Sequence, residues 1–158
     1  MKILKKIRTI FKILIINLMY RNRVEIGKSF GIMKGFNIVV EENGKVNIGD
    51  NVFFNNYCSI NCLGTVKIGD NTIFGEGVKL YDHNHRYKDK NGFIKNQGFN
   101  IGKITIGKNC WIGSNTIILN NVEIGDNVVI GANCLIYKSI PDNSIVKNNS
   151  SLSIEKYI

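Results

Sequence analysis

The sequence predicts an all-β solenoid built from six-residue repeats. Aliphatic residues recur at every sixth position in one unbroken series, which consists of Ile106, Ile112, Ile118, Ile124, Ile130 and Ile136. This period fits neither a helix face, which repeats about every 3.6 residues, nor an alternating strand. Short repeats of fixed length are typical of coils whose turns stack on one another. The same period occurs upstream, at Ile26, Ile32, Ile38, Ile48, Phe54, Ile60, Ile68, Phe74 and Leu80.

Three consecutive repeats are interpreted as one turn of a triangular coil with three short strands. About five turns are predicted, and they begin at Ile26, Ile48, Ile68, Ile106 and Ile124. A second inward position, four residues after each aliphatic, holds mostly small or apolar residues, namely Val52, Cys58, Thr72, Val78, Cys110, Thr116, Val122, Val128 and Cys134. Gly-Asp-Asn and Gly-Lys-Asn triplets begin at Gly49, Gly69, Gly107 and Gly125. These residue types tolerate the positive φ angles that a sharp corner needs.

The 158 residues suit a single domain in which the repeats bury their apolar residues only by stacking. Ile68 and Ile106 are 38 residues apart, although one turn takes 18, so a long excursion must leave the coil between them. We expect a helix at 1–23, a β-helix at 24–141 with an excursion loop at 81–103, and a tail at 142–158. Flat faces and exposed strand edges favour a symmetric homo-oligomer.

The first 23 residues are expected to form a basic amphipathic helix. Apolar residues recur there in steps of three and four, at Ile3, Leu4, Ile7, Ile10, Phe11, Leu14 and Leu18. The uncharged run Ile13–Tyr20 is too short to span a bilayer, and no small-residue cleavage site follows it. Two interpretations remain open and are compatible: the helix caps the coil, or it lies on an anionic membrane. The protein is therefore expected in the cytoplasm, with peripheral contact to the inner face of the membrane as an alternative.

The balance of charges is strongly basic. Lysine and arginine outnumber acidic residues 21 to 12, which gives a formal net charge of +9. Such a surplus favours an anionic partner, whether nucleic acid, membrane lipid or a phosphorylated cofactor, although a solvated basic surface would also explain part of it. Aromatic and basic residues are not interleaved as they are in nucleic-acid-binding modules, so no nucleic-acid partner is expected.

The four cysteines are expected to be free thiols. Cys58, Cys110 and Cys134 occupy the small inward positions of their repeats. Stacked strands lie about 4.8 Å apart, and Cys58 and Cys134 are three turns apart, beyond the roughly 7 Å limit for a disulfide. They are interpreted as small buried apolar residues in a reducing compartment. Cys62 is expected to point outward.

Both histidines lie in the excursion loop, within the segment 81–89. Loops held on a rigid scaffold are favoured places for catalytic groups. Counted from the inward-facing Leu80, His83 and His85 fall on outward positions. Because imidazole titrates near neutral pH, either could act as a general base. The plainer alternative is a pair of solvent-exposed loop histidines without a chemical role.

Several segments resemble the hexapeptide-repeat acyltransferases, which have a left-handed parallel β-helix. The likeness covers about residues 24–141 and is most specific at 104–114 (ITIGKNCWIGS), which resembles the family's segment after the excursion loop. Residues 124–132 (IGDNVVIGA) are similar to the next turn, and 138–141 (KSIP) to the exit from the last coil. The sugar and polysaccharide O-acetyltransferases are most similar, followed by the xenobiotic acetyltransferases. The handedness is implied by this resemblance alone.

The resemblance implies a direct acetyl transfer. In the family, a histidine of the excursion loop removes a proton from an acceptor hydroxyl, which attacks the thioester of acetyl-coenzyme A. His85 matches this position better than His83 does, and such a base contributes about 10² to 10⁴ in rate. The acceptor is expected to contact Asp82, His83 and Tyr87 beside it. Asn55 resembles an acceptor-binding asparagine of galactoside acetyltransferases, although an asparagine at a corner needs no such role.

The resemblance also implies a coenzyme site between subunits. Trp111 resembles the residue beside the pantetheine arm, Lys138 a residue near the phosphates, and a backbone wall is expected from Gly113, Ser114, Gly131 and Ala132. The glycines could equally serve corners, and Lys138 could be an ordinary surface lysine. Trp111 and His85 fall at different corners, so a site that contains both needs two subunits, as in the family's trimers. No metal is expected.

Two departures from the family limit what can be transferred. Cys62 and Leu63 stand where galactoside acetyltransferases carry an acidic pair, so their acceptor preference does not carry over. After Pro141, residues 145–150 replace the usual Gly-x-Pro-Ala stretch, which leaves the contacts to the adenine end of the coenzyme unassigned.

The predicted function is O-acetylation of a carbohydrate, such as a surface polysaccharide or its precursor, by acetyl-coenzyme A. Three alternatives compete with this function. The gamma-class carbonic anhydrases share the solenoid but need three zinc-binding histidines, and this chain has two. A non-catalytic scaffold would leave the excursion loop and Trp111 without a role. An N-acyltransferase acting on an amino sugar remains open, because the loop motif accommodates an amine acceptor.

Overall fold

The computed structural model describes residues 2–41 and 43–149, and for residues 2–6 and 8 it describes the backbone alone. Helix α1 (Lys2–Tyr20) and a 3₁₀ turn (Arg21–Arg23) precede the strands. None of the described helices is long and apolar enough to cross a membrane. The strands are β1 (Val24–Ile26), β2 (Gly31–Ile32), β3 (Asn37–Val40), β4 (Lys45–Ile48), β5 (Phe53–Phe54), β6 (Ser59–Cys62), β7 (Thr65–Ile68), β8 (Ile73–Phe74), β9 (Lys79–Tyr81), β10 (His83–His85), β11 (Phe99–Ile101), β12 (Lys103–Ile106), β13 (Trp111–Ile112), β14 (Ile117–Ile118), β15 (Val122–Ile124), β16 (Val129–Ile130), β17 (Leu135–Ile136) and β18 (Ile145–Val146).

All strands except β10 and β11 form three parallel sheets, which are the faces of a triangular coil. Face A contains β1, β4, β7, β12 and β15, face B contains β2, β5, β8, β13, β16 and β18, and face C contains β3, β6, β9, β14 and β17. Within each face, neighbouring strands come from successive turns, so that Ile68 aligns with Ile106 and Ile106 with Ile124. The predicted hexapeptide solenoid of about five turns is confirmed. A partial sixth turn follows, through the Ile124–Ile140 bridge and β18.

The core is the column of inward-facing residues that the hexapeptide period predicts. Ile60, Leu80, Ile104, Ile112, Ile118 and Ile130 are fully buried. In the second and third turns, Phe54 and Phe74 stack with ring centroids 4.2 Å apart. The smaller inward positions are filled as expected, since Val52, Cys58, Thr72, Val78, Thr116 and Val128 also have no exposed surface.

Each residue of a Gly-Asp-Asn triplet has a different structural role at the corner. The asparagine carries the positive φ, for example 60° at Asn71. The aspartate binds the preceding turn, since Asp70 Oδ1 accepts a hydrogen bond from Asp50 N at 2.9 Å. The glycine allows close stacking, because a Cβ on Gly69 would lie 2.7 Å from the carbonyl carbon of Gly107. The triplets thus satisfy the corner geometry as predicted, with the left-handed conformation on asparagine.

Helix α1 packs across the first turn of the coil. Ile16 and Tyr20 are buried in the core cluster, and Ile13 packs against it. Tyr20 Oη donates a hydrogen bond to Ile38 O at 3.1 Å. The helix therefore caps the coil, but through other residues than the predicted apolar face, whose described members Ile7, Ile10, Phe11, Leu14 and Leu18 are all exposed. Ile3 and Leu4 lie outside the described side chains, and residues 150–158 of the expected tail lie outside the described residues.

All four cysteines are free and buried. The expected burial of Cys58, Cys110 and Cys134 is confirmed, whereas the expectation that Cys62 points outward is wrong. Strand β6 continues through Cys62, and residues two apart on a strand share a face, so Cys62 points inward beside Ile60. Its thiol donates a hydrogen bond to Lys45 O at 3.4 Å. The pKa of the Cys62 thiol is raised to about 12, mainly by burial and to a smaller extent by a hydrogen bond with Asp82.

Candidate active site

The expected excursion loop is an antiparallel hairpin that leaves the coil at the corner between faces C and A. Strands β10 and β11 pair with His83 opposite Ile101 and His85 opposite Phe99. A 3₁₀ turn (Ile94–Asn96) lies near the tip. The hairpin joins β9 on face C to β12 on face A, so both of its ends are fixed in the solenoid. This pairing gives the histidines a defined position outside the core.

Asp82 anchors the hairpin to the preceding turn. Its carboxylate has no exposed surface and accepts hydrogen bonds from Leu63 N at 2.9 Å and Gly64 N at 2.8 Å. His83 Nδ1 lies 3.0 Å from the same carboxylate. The expectation that Asp82 contacts the acceptor is therefore corrected, because the side chain is buried and already bound by the protein. In the tautomer with a proton on Nδ1, His83 donates this hydrogen bond to the Asp82 carboxylate, and Nε2 is then the ring nitrogen that can accept a hydrogen bond.

The two imidazoles flank an aromatic ring that sequence reasoning missed. His83 and His85 are two residues apart on β10 and so share a side of the hairpin. The Phe99 ring lies 5.1 Å from that of His83 and 4.5 Å from that of His85, centroid to centroid. The His83 side chain is 16% exposed, whereas His85 is exposed. His85 is therefore the histidine that an external ligand can reach.

The hairpin is also tied to the following turn. Asn84 Nδ2 donates a hydrogen bond to Asn120 Oδ1 at 2.8 Å. Asn120 follows β14 at the corner from which the hairpin leaves, one turn later. The histidines are thus held between the anchors at Asp82 and Asn120, which limits the movement of β10.

A polar cavity of ≈ 570 Å³ lies beside the hairpin. It is lined by Arg86, Tyr87, Lys88, Asp89, Gln97 and Asn100. Tyr87 is 66% exposed, and Arg86 Nε donates a hydrogen bond to Asn100 Oδ1 at 3.3 Å. Hydroxyl, amide and charged groups of this kind can bind a polyhydroxylated ligand. Asn55 lines a different cavity, between α1 and face B, so one chain does not bring Asn55 to the hairpin.

Face B presents an exposed apolar ladder. The outward residues of five successive strands align in register, and they are Phe53, Ile73, Trp111, Val129 and Ile145. Trp111 is 54% exposed and Ile145 is 69% exposed. The equivalent outward residues of face A are polar, namely Glu25, Asn47, Lys67, Thr105 and Glu123. A contiguous apolar strip on one face of a solenoid marks a binding or assembly surface.

The residues expected at the coenzyme fall into two groups. Gly113, Ser114, Gly131 and Ala132 directly follow the face B strands of two adjacent turns and so lie beside Trp111. A Cβ on Gly113 would lie 2.6 Å from Ala132 N, so this glycine lets the two turns stack closely. Lys138 lies after β17, at the corner that carries the hairpin, with Nζ 5.7 Å from the centre of the Tyr137 ring.

His85 and Trp111 lie on opposite sides of one chain. In a triangular coil, the corner between faces C and A is opposite face B, which carries Trp111. A single chain therefore does not bring the two residues together, as their positions in the repeats predict. Among residues 2–41 and 43–149, no group of three or more histidine, cysteine or acidic side chains could hold a metal ion.

Comparison with known proteins agrees with this architecture. The bacterial transferase hexapeptide family (six repeats) matches residues 103–138. WbbJ of Escherichia coli (strain K12), named as a lipopolysaccharide biosynthesis O-acetyl transferase, is 27% identical over 85% of this chain and 72% of its own length. A galactoside acetyltransferase in complex with coenzyme A is 32% identical, with a TM-score of 0.72 over 84% of this chain and 63% of that one. A maltose O-acetyltransferase from Clostridium difficile 630 is 28% identical, with a TM-score of 0.68 over 89% and 73%.

The family match lies within the part of the chain that the structural neighbours also cover. Residues 103–138 hold Trp111, the stacked glycine corners and two complete turns of the coil. The structural likeness extends over most of the remaining turns. The chain therefore resembles the hexapeptide-repeat acyltransferases in both sequence and fold, and its coil is consistent with their left-handed parallel β-helix.

Proposed function

We propose that the protein transfers an acetyl group from acetyl-coenzyme A to a hydroxyl of a carbohydrate, with His85 as the general base. The observation that carries this proposal is the position of His85, exposed on a hairpin that both neighbouring turns hold in place. The sugar acetyltransferases among the similar proteins support a carbohydrate acceptor. The polar cavity beside Tyr87 offers a place for such an acceptor.

The reaction needs a base because a sugar hydroxyl is a weak nucleophile at neutral pH. The His85 imidazole accepts the hydroxyl proton as the hydroxyl oxygen attacks the thioester carbonyl. The new carbon–oxygen bond forms, the carbon–sulfur bond breaks, and the imidazolium returns its proton to the leaving thiolate. Backbone amides of the site would stabilise the oxyanion between these steps. The His83 ring contacts the buried Asp82 carboxylate and is less exposed than His85, so His83 is assigned a place beside the acceptor.

The coenzyme is proposed to bind between two subunits of a homotrimer. One subunit would contribute His85 and Lys138, which share the corner between faces C and A. Its neighbour would contribute Trp111 and the stacked corners at Gly113 and Gly131. The residues fit this ligand, because an exposed indole on an apolar face suits the pantetheine arm and a lysine suits the phosphates. The apolar ladder of face B supports burial against a neighbouring subunit.

Replacement of His85 tests the catalytic role. His85→Ala is expected to lower the transfer rate by about 10² to 10⁴, because positioned proton removal is lost. Release of the coenzyme thiol measures the rate, and mass spectrometry of glycans incubated with acetyl-coenzyme A identifies an acceptor that gains one acetyl group. An amino sugar in the panel distinguishes an amine from a hydroxyl acceptor.

His83→Ala is the matched control, since it removes the other imidazole of the same strand. It is expected to weaken acceptor binding more than it lowers the maximal rate. A His85→Ala protein with full transfer activity would refute the assignment of the base, and loss of the maximal rate only in His83→Ala would give that role to His83.

A further inference from the structure

Helix α1 carries two apolar stripes, and only one of them packs on the coil. The packed stripe contains Ile13, Ile16 and Tyr20, at steps of three and four residues. The second stripe has the same spacing and consists of Ile7, Phe11, Leu14 and Leu18. The two are offset by two residues, which is about 200° around a helix, so they face in opposite directions. The second stripe, called here the outer stripe, therefore points away from the protein.

The outer stripe is unusually exposed for large apolar side chains. Ile7 is 57% exposed, Phe11 65%, Leu14 60% and Leu18 81%. Ile10 and Met19 beside it are 50% and 61% exposed. If the outer stripe stayed in water, apolar surface would be exposed along most of the helix, which is unfavourable. The stripe is one helix wide and stands out from the coil, which suits insertion into a soft apolar phase.

The charge of the molecule is concentrated in the same segment. Residues 1–23 contain seven lysines and arginines and no acidic residue. Residues 24–158 contain 14 basic and 12 acidic residues, a net charge of +2 against +7 for the helical segment. A second copy of the helix would bring the same positive charge and would be repelled. An anionic lipid surface instead offers negative charge and an apolar interior together.

We infer that the outer stripe of α1 docks the protein on an anionic phospholipid surface, while the opposite face of the same helix remains packed on the coil. The helix lies in the plane of the interface and does not cross it, in line with the absence of a membrane-spanning helix among residues 2–41 and 43–149. The β-helix is thereby held at a fixed orientation to the lipid surface. This inference is independent of the reaction that the hairpin performs.

Co-sedimentation of the full chain with vesicles tests the inference. The vesicles contain phosphatidylcholine with or without phosphatidylglycerol. Binding is expected only with phosphatidylglycerol and is expected to weaken as salt rises. Phe11→Gln/Leu18→Gln removes apolar area without changing charge and is expected to lower the partition coefficient at least about tenfold.

The matched control is Phe93→Gln/Ile94→Gln, which makes the same kind of change at exposed apolar residues near the hairpin tip. It is expected to bind vesicles as the wild type does, and thermal unfolding verifies that both variants remain folded. Equal vesicle binding by the outer-stripe variant and the wild type would overturn the inference. A smaller assembly of the outer-stripe variant in light scattering would also overturn it, because the stripe would then be covered by a second copy.

Discussion

At the scale of single residues, Asp82 explains how a long excursion can still hold its histidines in a fixed position. The carboxylate is buried at the root of the hairpin, where it binds two backbone amides of the preceding corner and the Nδ1 of His83. These three contacts satisfy the hydrogen-bond acceptors of the Asp82 carboxylate, which would otherwise be costly to bury. The histidine pair is thus positioned by a residue that does not itself reach the acceptor.

Replacement of Asp82 by asparagine should therefore loosen the hairpin. An amide keeps the shape but places an NH₂ group against one of the donors, so we expect a loss of about 1–3 kcal/mol in unfolding free energy. Amide hydrogen exchange in residues 83–101 should rise as well. Asp89→Asn, in the exposed loop, is the control and should stay within about 0.5 kcal/mol of the wild type. Equal behaviour of the two variants would contradict the anchoring role.

The Cys62 thiol provides a second prediction at this scale. Its pKa is raised from 9.0 to about 12 by burial, so the unfolded chain releases the proton first as pH rises. The stabilisation is complete below pH 9 and is lost between about pH 9 and pH 12 at about 1 kcal/mol per pH unit. Denaturant unfolding from about pH 8 to pH 10 should show a flatter decline in Cys62→Ala than in the wild type. Identical slopes would show that Cys62 is accessible to solvent.

At the scale of elements, the corner is the unit that repeats most strictly. Asparagine takes the left-handed conformation, aspartate accepts a hydrogen bond from the preceding turn, and glycine leaves room for the backbone of the neighbouring turn. Each residue of the triplet has a separate physical requirement, so the three are not interchangeable. At the corner of Gly107 and Asn109, Lys108 stands in the place of the aspartate, and its Nζ contacts the preceding turn at 3.0 Å from Asp70 Oδ2.

Gly69→Ala tests this division. The new Cβ would lie 2.7 Å from backbone atoms of the Gly107 corner, which cannot move without separating two turns. We expect a loss of about 1–3 kcal/mol, measured by urea unfolding. Gly92→Ala, in the hairpin loop, meets only the Asp89 carboxylate at 3.3 Å and should change stability little. A neutral Gly69→Ala would mean that the turns are less tightly stacked than the structure indicates.

The sequence predicts some elements better than others for physical reasons. The hexapeptide period predicts the core residues of the coil, because every inward residue must stack on the equivalent residue of the next turn. Helix α1 carries two apolar stripes offset by two residues, so amphipathicity alone could not tell the packed face from the exposed one. The repeat register predicts an outward Cys62, but β6 extends beyond its repeat and continues to alternate, which turns Cys62 inward. Phe99 could not be linked to His85, since the pairing of the hairpin lies outside the repeat register.

At the scale of the whole molecule, the triangular coil separates two halves of the proposed site. His85 and Lys138 lie at one corner, and Trp111 lies on the face opposite. A closed ring of three chains would bring each corner to a neighbouring face. It would also place the three α1 helices at the same end of the assembly, so that all outer stripes could contact one lipid surface together. Because His85 and Trp111 are separated in one chain, a complete site that contains both needs a second chain.

Mixing two defective proteins tests this central claim most directly. His85→Ala and Trp111→Ala chains, unfolded and refolded together in equal amounts, should regain about one quarter of wild-type transfer at low acetyl-coenzyme A, because random assembly joins an intact His85 to an intact Trp111 in that share of interfaces. Each variant refolded alone serves as the control. Activity no higher than the average of the two separate variants would contradict a site shared between subunits.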